Sequence, residues 1–248
     1  MVPDSSELQA YKDNGFIVKK CLFAESLMGQ IKHELDDIHQ RMVRMPPADV
    51  SISWEDSDAP DENKLIQQLM NSELVSPSLN QILRSERLLD LVESLMSPDI
   101  SLYHSKLLPK EAGHGKAIPW HQDYAYWKTE ANLPLMINCQ MAIDPMTLEN
   151  GCLEFIPGSH KWGLQEHERH QETFGVFLPG RYYQRDEAVA VEMRPGDVVF
   201  FTSLIIHGSA PNTSDKPRWA NTFAFNITGN NVQQCREVLR GQPLLTDN

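Results

Sequence analysis

The chain changes character near residue 100, and this change limits the folds it can adopt. Beyond that point, short β-type runs alternate with turn residues: SLYHSKLL, LMINCQMAI, CLEFI, AVAVEM, DVVFFTSLII and WANTFAFNI. Turn sequences such as Pro157-Gly158-Ser159 and Pro195-Gly196-Asp197 separate the runs. Short strands with this punctuation predict an all-β sandwich or barrel.

The residues before this point predict mainly helix. Apolar residues recur at helical spacing in 22–42, and a second helical pattern covers 78–96. The acidic, proline-rich segment 45–63 between them predicts a surface loop. A helical part followed by a β part predicts a mainly β jelly-roll with N-terminal helices packed on one sheet.

Composition predicts one domain. With 248 residues and 41% apolar content, the chain can bury one sizeable core. We therefore expect a single domain over 1–248, with a largely helical part at 1–99 and a β core at 100–230.

Charge and targeting signals narrow the partners. The net charge of -12 argues against broad binding to nucleic acid or to an anionic membrane, although a local basic pocket stays compatible with it. We find no secretory signal, no membrane-length apolar run and no C-x-x-C pattern among the four cysteines. These features predict a cytoplasmic protein with reduced thiols and no membrane partner, as a monomer or homodimer.

A histidine and an aspartate two residues apart lie in the aromatic stretch 119-PWHQDYAYW-127. In an extended segment, His121 and Asp123 point to the same side, about 6.5 to 7 Å apart. The motif alone is weak, and the similar 170-HQE-172 lies in a polar stretch that predicts a solvated loop. A metal site needs a third ligand from another strand.

His207 follows the nearly continuous apolar run 197-DVVFFTSLII-206. Alone, it is either a satisfied core residue or a ligand, and the H-x-D pattern favours the ligand. Two histidines and a carboxylate form the facial triad of non-haem Fe(II) oxygenases. A zinc hydrolase could use the same ligands, but it needs a general base and the chain has no H-E-x-x-H signature.

Four blocks of sequence occur in a fixed order: 11-YKDNGFIVKKCLFAESLMGQI-31, 120-WHQD-123, 149-ENGCLEFIPGSHK-161 and 195-PGDVVFFTSLIIHGSAPNTSDKPRWA-220. In these blocks the chain resembles the phytanoyl-CoA dioxygenase (PhyH-like) family of Fe(II)/2-oxoglutarate-dependent oxygenases. The resemblance implies a double-stranded β-helix of the cupin-like jelly-roll type, whose first block is an entry strand and helix. It also implies Fe(II), 2-oxoglutarate and O2 as cofactors and cosubstrates.

The resemblance also implies the site residues. His121, Asp123 and His207 are the expected iron ligands and catalytic residues. Arg218, eleven residues after His207, is expected to pair with the far carboxylate of 2-oxoglutarate, although an arginine in a KPR loop could also lie on the surface. Further 2-oxoglutarate contacts are expected from residues matched less firmly: Ser209, Lys106, Gln140 (where relatives usually carry tryptophan), and Gln67 or Gln68.

The implied reaction is hydroxylation of an unactivated C–H bond of a small molecule, with release of succinate and CO2. Asp123 disfavours halogenation, because related halogenases carry alanine or glycine there. Desaturation, cyclisation or epimerisation by the same iron chemistry stays open, as does a non-catalytic binding module of the same fold.

Substrate contacts are expected near the motif and in the long segment 160–186, which is too long for a tight turn and predicts a lid. An arginine among aromatic side chains would suit a substrate bearing a carboxylate or phosphate. The expected substrate residues are Tyr124, Tyr126, Trp127, Asn138, Trp162 and Arg181.

Overall fold

The computed structural model describes residues 2–56, 58–169, 175–230 and 236–238. The predicted loop at 170–172 and Cys235 lie outside these residues. Within the described ranges, every helix is too short or too polar to cross a membrane.

The helices are short, and all but the last lie in the N-terminal part. The helices are α1 (Ser5–Asn14), α2 (Glu25–Glu34), α3 (Ile38–Arg44), α4 (Pro77–Arg84), α5 (Glu86–Leu95) and α6 (Tyr124–Trp127). Each of the two predicted helical segments is divided. Asp37, in the left-handed region at φ 59°, separates α2 from α3. Ser85 ends α4, and its hydroxyl accepts from the backbone N–H of Leu88 at the start of α5.

In the part of the chain that the structure describes, eleven strands form two antiparallel sheets. They are β1 (Phe16–Lys19), β2 (Ile52–Trp54), β3 (Ile66–Met70), β4 (Ile100–Lys110), β5 (Ile118–His121), β6 (Met136–Ala142), β7 (Leu153–Phe155), β8 (Val189–Val191), β9 (Val198–Thr202), β10 (His207–Ser209) and β11 (Arg218–Ile227). The large sheet has the order β1-β9-β6-β11-β4-β3-β2, and the small sheet has the order β5-β10-β7-β8. The two sheets form the predicted jelly-roll.

The first hundred residues contribute more strand than the helical pattern predicts. The resemblance implied β1, but β2 and β3 were missed, although both extend the large sheet. Both are short, and in β3 the residues Gln67 and Gln68 break the apolar pattern. Pairing with β4 stabilises β3 as a strand, through Leu69 opposite Leu107 and Met70 opposite Lys106.

The two faces of the large sheet have different roles. Cys139, Phe200 and Phe223 pack with the helices in one buried apolar cluster. Because strand side chains alternate, neighbouring residues such as Asn138 and Phe201 point toward the small sheet. Polar residues on this inner face therefore lie between the sheets, where the functional site forms.

The apolar run 197–206 is not one strand. The strand β9 ends at Thr202, and β10 begins at His207 in the other sheet. The backbone of Ile205 bonds to the carbonyl of Thr202, and the intervening turn carries the chain from one sheet to the other. His207 therefore starts a strand of the small sheet.

Candidate active site

Three predicted ligands converge between the sheets. His121 at the end of β5 is the cross-strand partner of His207 at the start of β10. The Nε2 atom of His121 lies 3.5 Å from Oδ1 of Asp123, and Nε2 of His207 lies 3.6 Å from Oδ2 of Asp123. One ligand atom from each residue falls within 4.8 Å of the others, close enough to hold one metal ion.

We expected His121 and Asp123 to point to the same side of one strand. In the structure, a turn brings them together instead. The strand β5 ends at His121, and Asp123 has helical dihedrals of φ -58° and ψ -35° at the start of α6. The chain therefore turns after His121, and this turn brings the carboxylate back between the two imidazoles.

Backbone carbonyls fix both imidazole rings. Nδ1 of His121 lies 2.7 Å from the carbonyl oxygen of Pro119, and Nδ1 of His207 lies 3.1 Å from that of Ile205. A carbonyl can only accept, so each Nδ1 carries the proton and each Nε2 presents a lone pair to the centre. This is the arrangement that metal-binding histidines use.

The protonation states also suit a divalent metal. Burial, followed by the nearby His121, lowers the pKa of His207 to about 4, so this imidazole is neutral at pH 7. Burial alone would raise the pKa of the Asp123 carboxyl, but His207 and His121 hold it below its usual value. Two imidazoles and one carboxylate are the donor set that non-haem Fe(II) uses.

Asn138 positions the ligand carboxylate. Its Nδ2 donates a 2.8 Å hydrogen bond to Oδ2 of Asp123. The sequence predicted Asn138 as a substrate contact. Although it lines the cavity, its amide is also bound to a metal ligand.

Gln122, between two metal ligands, was not predicted to have a role. It is fully buried, and its Nε2 donates to the carbonyls of Gly163 and Leu204 at 2.9 and 2.6 Å. Its Oε1 accepts from the backbone of Gln165, and its own N–H donates to Nε2 of His167. Gln122 thus attaches the segment around 163–167 to the metal-binding turn.

A cavity of about 390 Å³ opens beside the three ligands. Of the predicted residues, it is lined by Gln67, Gln68, Lys106, Tyr126, Trp127, Asn138, Gln140, Ser209 and Arg218. The sequence did not predict the other polar lining residues, which are Glu55, Tyr103, His104, Lys110, Lys116, Glu130 and Thr222.

One end of the cavity is strongly basic. Arg218 is buried, its Nη2 donates to the carbonyl of Gly151, and its Nε has no hydrogen-bond partner. Burial lowers the pKa of Arg218 to about 10, so it stays charged at neutral pH. Among the described residues it forms no ion pair. An unpaired buried guanidinium fits a site for a carboxylate ligand.

Two predicted cosubstrate residues lie between this end and the metal ligands. Gln140 on β6 donates from Nε2 to the hydroxyl of Thr222 at 3.2 Å, and its buried Oε1 has no partner. Lys106 on β4 lines the cavity near Asp123. Burial lowers the pKa of Lys106, and the charge of Asp123 partly offsets this effect.

The aromatic residues after the motif divide between core and cavity. Tyr126 and Trp127 line the cavity. Tyr124 is buried in an apolar cluster, its hydroxyl donates to the carbonyl of Ala131, and it is absent from the lining. The expected substrate role of Tyr124 is therefore replaced by packing beneath the metal turn.

Two expected substrate residues of segment 160–186 lie away from the cavity lining. Trp162 is 49% exposed in a short 3-10 helix. Arg181 is exposed, binds Glu168 at 3.0 Å and stacks over the ring of Tyr182. The sequence identified their chemical types, but loop packing directs them to the surface.

Comparison with known proteins supports this site. The family model for phytanoyl-CoA dioxygenase (PhyH) matches residues 11–220. The ectoine dioxygenase of Bordetella parapertussis is 24% identical over 96% of this chain and 80% of its own length. Human peroxisomal phytanoyl-CoA dioxygenase is 30% identical over 87% of this chain and 66% of its own length.

Solved structures share the fold. EctD from S. alaskensis, in a crystal structure with bound Fe, superposes with a TM-score of 0.75 at 21% identity, covering 97% of this chain and 85% of that one. The carbocyclase SnoK from nogalamycin biosynthesis superposes with a TM-score of 0.67 at 19% identity, covering 90% and 83%. Taken with the family match, these findings show that the chain belongs to the phytanoyl-CoA dioxygenase family and is an Fe(II)/2-oxoglutarate-dependent dioxygenase.

Proposed function

We propose that the protein hydroxylates an unactivated C–H bond of a small polar molecule, with 2-oxoglutarate converted to succinate and CO2. The observation that carries this proposal is the buried triad of His121, Asp123 and His207 beside a cavity with a basic end. Iron held by the triad supplies the oxidation of the C–H bond at the expense of O2 and 2-oxoglutarate.

The protein holds the iron ligands in a prearranged geometry. The backbone carbonyls fix both imidazoles, and Asn138 fixes the carboxylate. The ring of Phe201 packs edge-on against His207 at 5.0 Å. This apolar wall keeps water from one side of the centre and lowers the local dielectric.

The basic end accounts for the cosubstrate. Arg218 binds the far carboxylate of 2-oxoglutarate, because a planar guanidinium pairs with a carboxylate through two hydrogen bonds. Ser209, two residues after His207, also lines the cavity and supplies a hydroxyl to the cosubstrate. Nε2 of Gln140 has a second N–H besides the one that binds Thr222, and this N–H can donate to an oxygen of the cosubstrate.

The rest of the cavity takes the substrate. Tyr126 and Trp127 form an aromatic wall, and Glu130 accepts a hydrogen bond from the hydroxyl of Tyr103 at 2.9 Å. A substrate carboxylate or phosphate would meet Lys106 rather than Arg181, because Lys106 lines the cavity and Arg181 does not. Only part of a 390 Å³ cavity remains beside the cosubstrate, so the part of the substrate that enters the cavity is small. Relatives named for ectoine and L-proline also act on small molecules.

The competing proposals differ in what they require. A binding module without turnover would tolerate a broken triad or a missing arginine. In this chain the three ligands lie together and Arg218 lines the cavity. Halogenation needs a halide site on iron, where Asp123 stands. Desaturation, cyclisation and epimerisation use the same residues, so the mass and structure of the product distinguish them from hydroxylation.

The proposal is tested by succinate release from protein loaded with Fe(II) in air. We expect slow succinate formation from 2-oxoglutarate alone and faster formation when a screened substrate is bound. His207→Ala should abolish iron binding, whereas His114→Ala, at an exposed histidine of a loop, should leave it unchanged. Protein that binds iron yet forms no succinate with any screened substrate would contradict the proposal.

A further inference from the structure

A second buried cation lies beside Arg218. Lys110 ends β4 and is the cross-strand partner of Arg218 on β11. The two residues are only 5% and 3% exposed. Within the described part of the chain, neither forms an ion pair with a carboxylate. Two adjacent buried cations without a counterion are unfavourable, so the pair implies an anionic ligand.

Hydrogen bonds fix the position of the Lys110 ammonium. Its Nζ donates to Oγ of Ser209 at 2.8 Å and to the carbonyl of Ala210. A lysine ammonium has three N–H donors, so one remains for a ligand. Because Lys110 also lines the cavity, this donor can serve a molecule bound there.

One glycine accommodates both cations. Gly151 has φ +76°, and a Cβ on it would overlap the carbonyl of Ala210 and lie 3.0 Å from Nζ of Lys110. The carbonyl of Gly151 accepts from Arg218. The left-handed backbone and the missing side chain thus bring both cations to the same end of the cavity.

The groups facing Lys110 set its protonation. Burial, then the charge of Arg218, lowers the pKa of Lys110 to about 7, while Glu55 acts in the opposite direction. Burial raises the pKa of Cys152 to about 11, so its thiol is neutral. Glu55 lies near Lys116, whose Nζ is 3.7 Å from its Oε2. Without an anion at the site, Lys110 is therefore only partly protonated at neutral pH.

We propose that Lys110 is a second cosubstrate-binding cation, which shares the far carboxylate of 2-oxoglutarate with Arg218 and Ser209 and takes up a proton when the cosubstrate binds. This inference rests on the proposed function, because it assumes that 2-oxoglutarate occupies the cavity. The carboxylate supplies the missing counterion, and the proton comes from the buffer. Affinity is then greatest below pH 7 and falls by up to tenfold per pH unit above it.

Anaerobic calorimetry of the Fe(II)-loaded protein tests the proposal. We titrate 2-oxoglutarate at pH 7.5 in HEPES and in Tris, two buffers with different heats of ionisation. The enthalpy should differ between the buffers by an amount that corresponds to uptake of the greater part of one proton. 2-Oxobutyrate, which lacks the far carboxylate, should bind without proton uptake.

Variants assign the proton to Lys110. Lys110→Met should weaken 2-oxoglutarate binding by about ten- to a hundredfold, the effect of one charge-assisted hydrogen bond, and should abolish the buffer dependence. Lys12→Met, at an exposed lysine of α1 that is outside the cavity lining, should keep the buffer dependence. Circular dichroism checks that each variant is folded.

The outcomes separate the two proposals. If the wild-type protein binds 2-oxoglutarate with the same enthalpy in both buffers, the role of Lys110 is wrong and the proposed function stands. If the Fe(II)-loaded wild-type protein does not bind 2-oxoglutarate at all, the proposed function fails and this inference fails with it. Neither result depends on the folding of a variant.

Discussion

The amide of Asn138 donates a 2.8 Å hydrogen bond to Oδ2 of Asp123, the same oxygen that lies 3.6 Å from Nε2 of His207. Asn138 sits on β6 of the large sheet, whereas His207 sits on β10 of the small sheet. The ligand carboxylate is therefore positioned from both sheets at once. Its orientation depends on the packing of one sheet against the other.

Removing this hydrogen bond should weaken metal binding. Asn138→Leu keeps the approximate size of the side chain and removes the donor to Asp123. Changes to residues that orient a metal ligand typically cost about 10- to 100-fold in affinity or activity, and we expect a loss of Fe(II) affinity in this range. An anaerobic titration with Fe(II) measures it. Asn132→Ala, at an exposed asparagine, is the control.

Gln122 should matter for stability. It makes three side-chain hydrogen bonds to backbone groups of half-buried residues, at Gly163, Leu204 and Gln165. Gln122→Leu leaves these groups without partners, and we expect a loss of about 3 kcal/mol in the free energy of unfolding. Urea unfolding of the metal-free protein measures this loss. An unchanged unfolding midpoint in Gln122→Leu would show that Gln122 does not fix the loop. As a control, Gln9→Leu on the exposed face of α1 should leave the midpoint unchanged.

The sequence predicted the iron triad and Arg218 because these residues lie in blocks whose order and spacing are characteristic of the family. It did not predict Lys110 or the orientation of Asn138. Both depend on strand register, which pairs Lys110 with Arg218 across a long separation in the chain. Local sequence does not determine which residues of two distant strands face each other.

Arg181 differs from these residues, because the structure places this expected substrate residue on the surface. Its charge and its aromatic neighbours suggested a substrate pocket, but its side chain pairs with Glu168 on the surface. The course of this loop is fixed by contacts from elsewhere. Gln122 binds Gly163 and Gln165, and the hydroxyl of Tyr126 both donates to the carbonyl of Val176 and accepts from its N–H. Residue type indicated possible chemistry, but only these tertiary contacts decide which side chains reach the cavity.

Lys110 should make stability depend on pH when iron and 2-oxoglutarate are absent. Burial, then the charge of Arg218, lowers its pKa from the usual 10.5 to about 7 on folding, so above pH 7 the unfolded chain binds more protons than the native protein. Stability contributed by this residue therefore rises with pH, by up to about 1.4 kcal/mol per unit. The free energy of unfolding of wild-type protein minus that of Lys110→Met should increase between pH 7 and pH 9.

Comparing the two proteins at each pH removes the contribution of other titrating groups. Lys12→Met, at an exposed lysine of α1, should give a difference from wild type that changes little with pH. A constant difference between wild type and Lys110→Met would show that the ammonium is not destabilised by burial.

Arg218 and Arg181 should respond differently to the same substitution. Arg218→Met removes the buried guanidinium of the basic end, and we expect the KM for 2-oxoglutarate to rise about 100-fold or more, because a charge-assisted bidentate pair is lost. Iron binding should be retained, since Arg218 contacts none of the three ligands.

Arg181→Met removes an exposed ion pair of small energetic value and should leave the KM for 2-oxoglutarate within about twofold of wild type. Succinate formation at increasing 2-oxoglutarate measures both. An unchanged KM in Arg218→Met would place the far carboxylate elsewhere in the cavity, and a raised KM in Arg181→Met would bring the surface loop back to the active site.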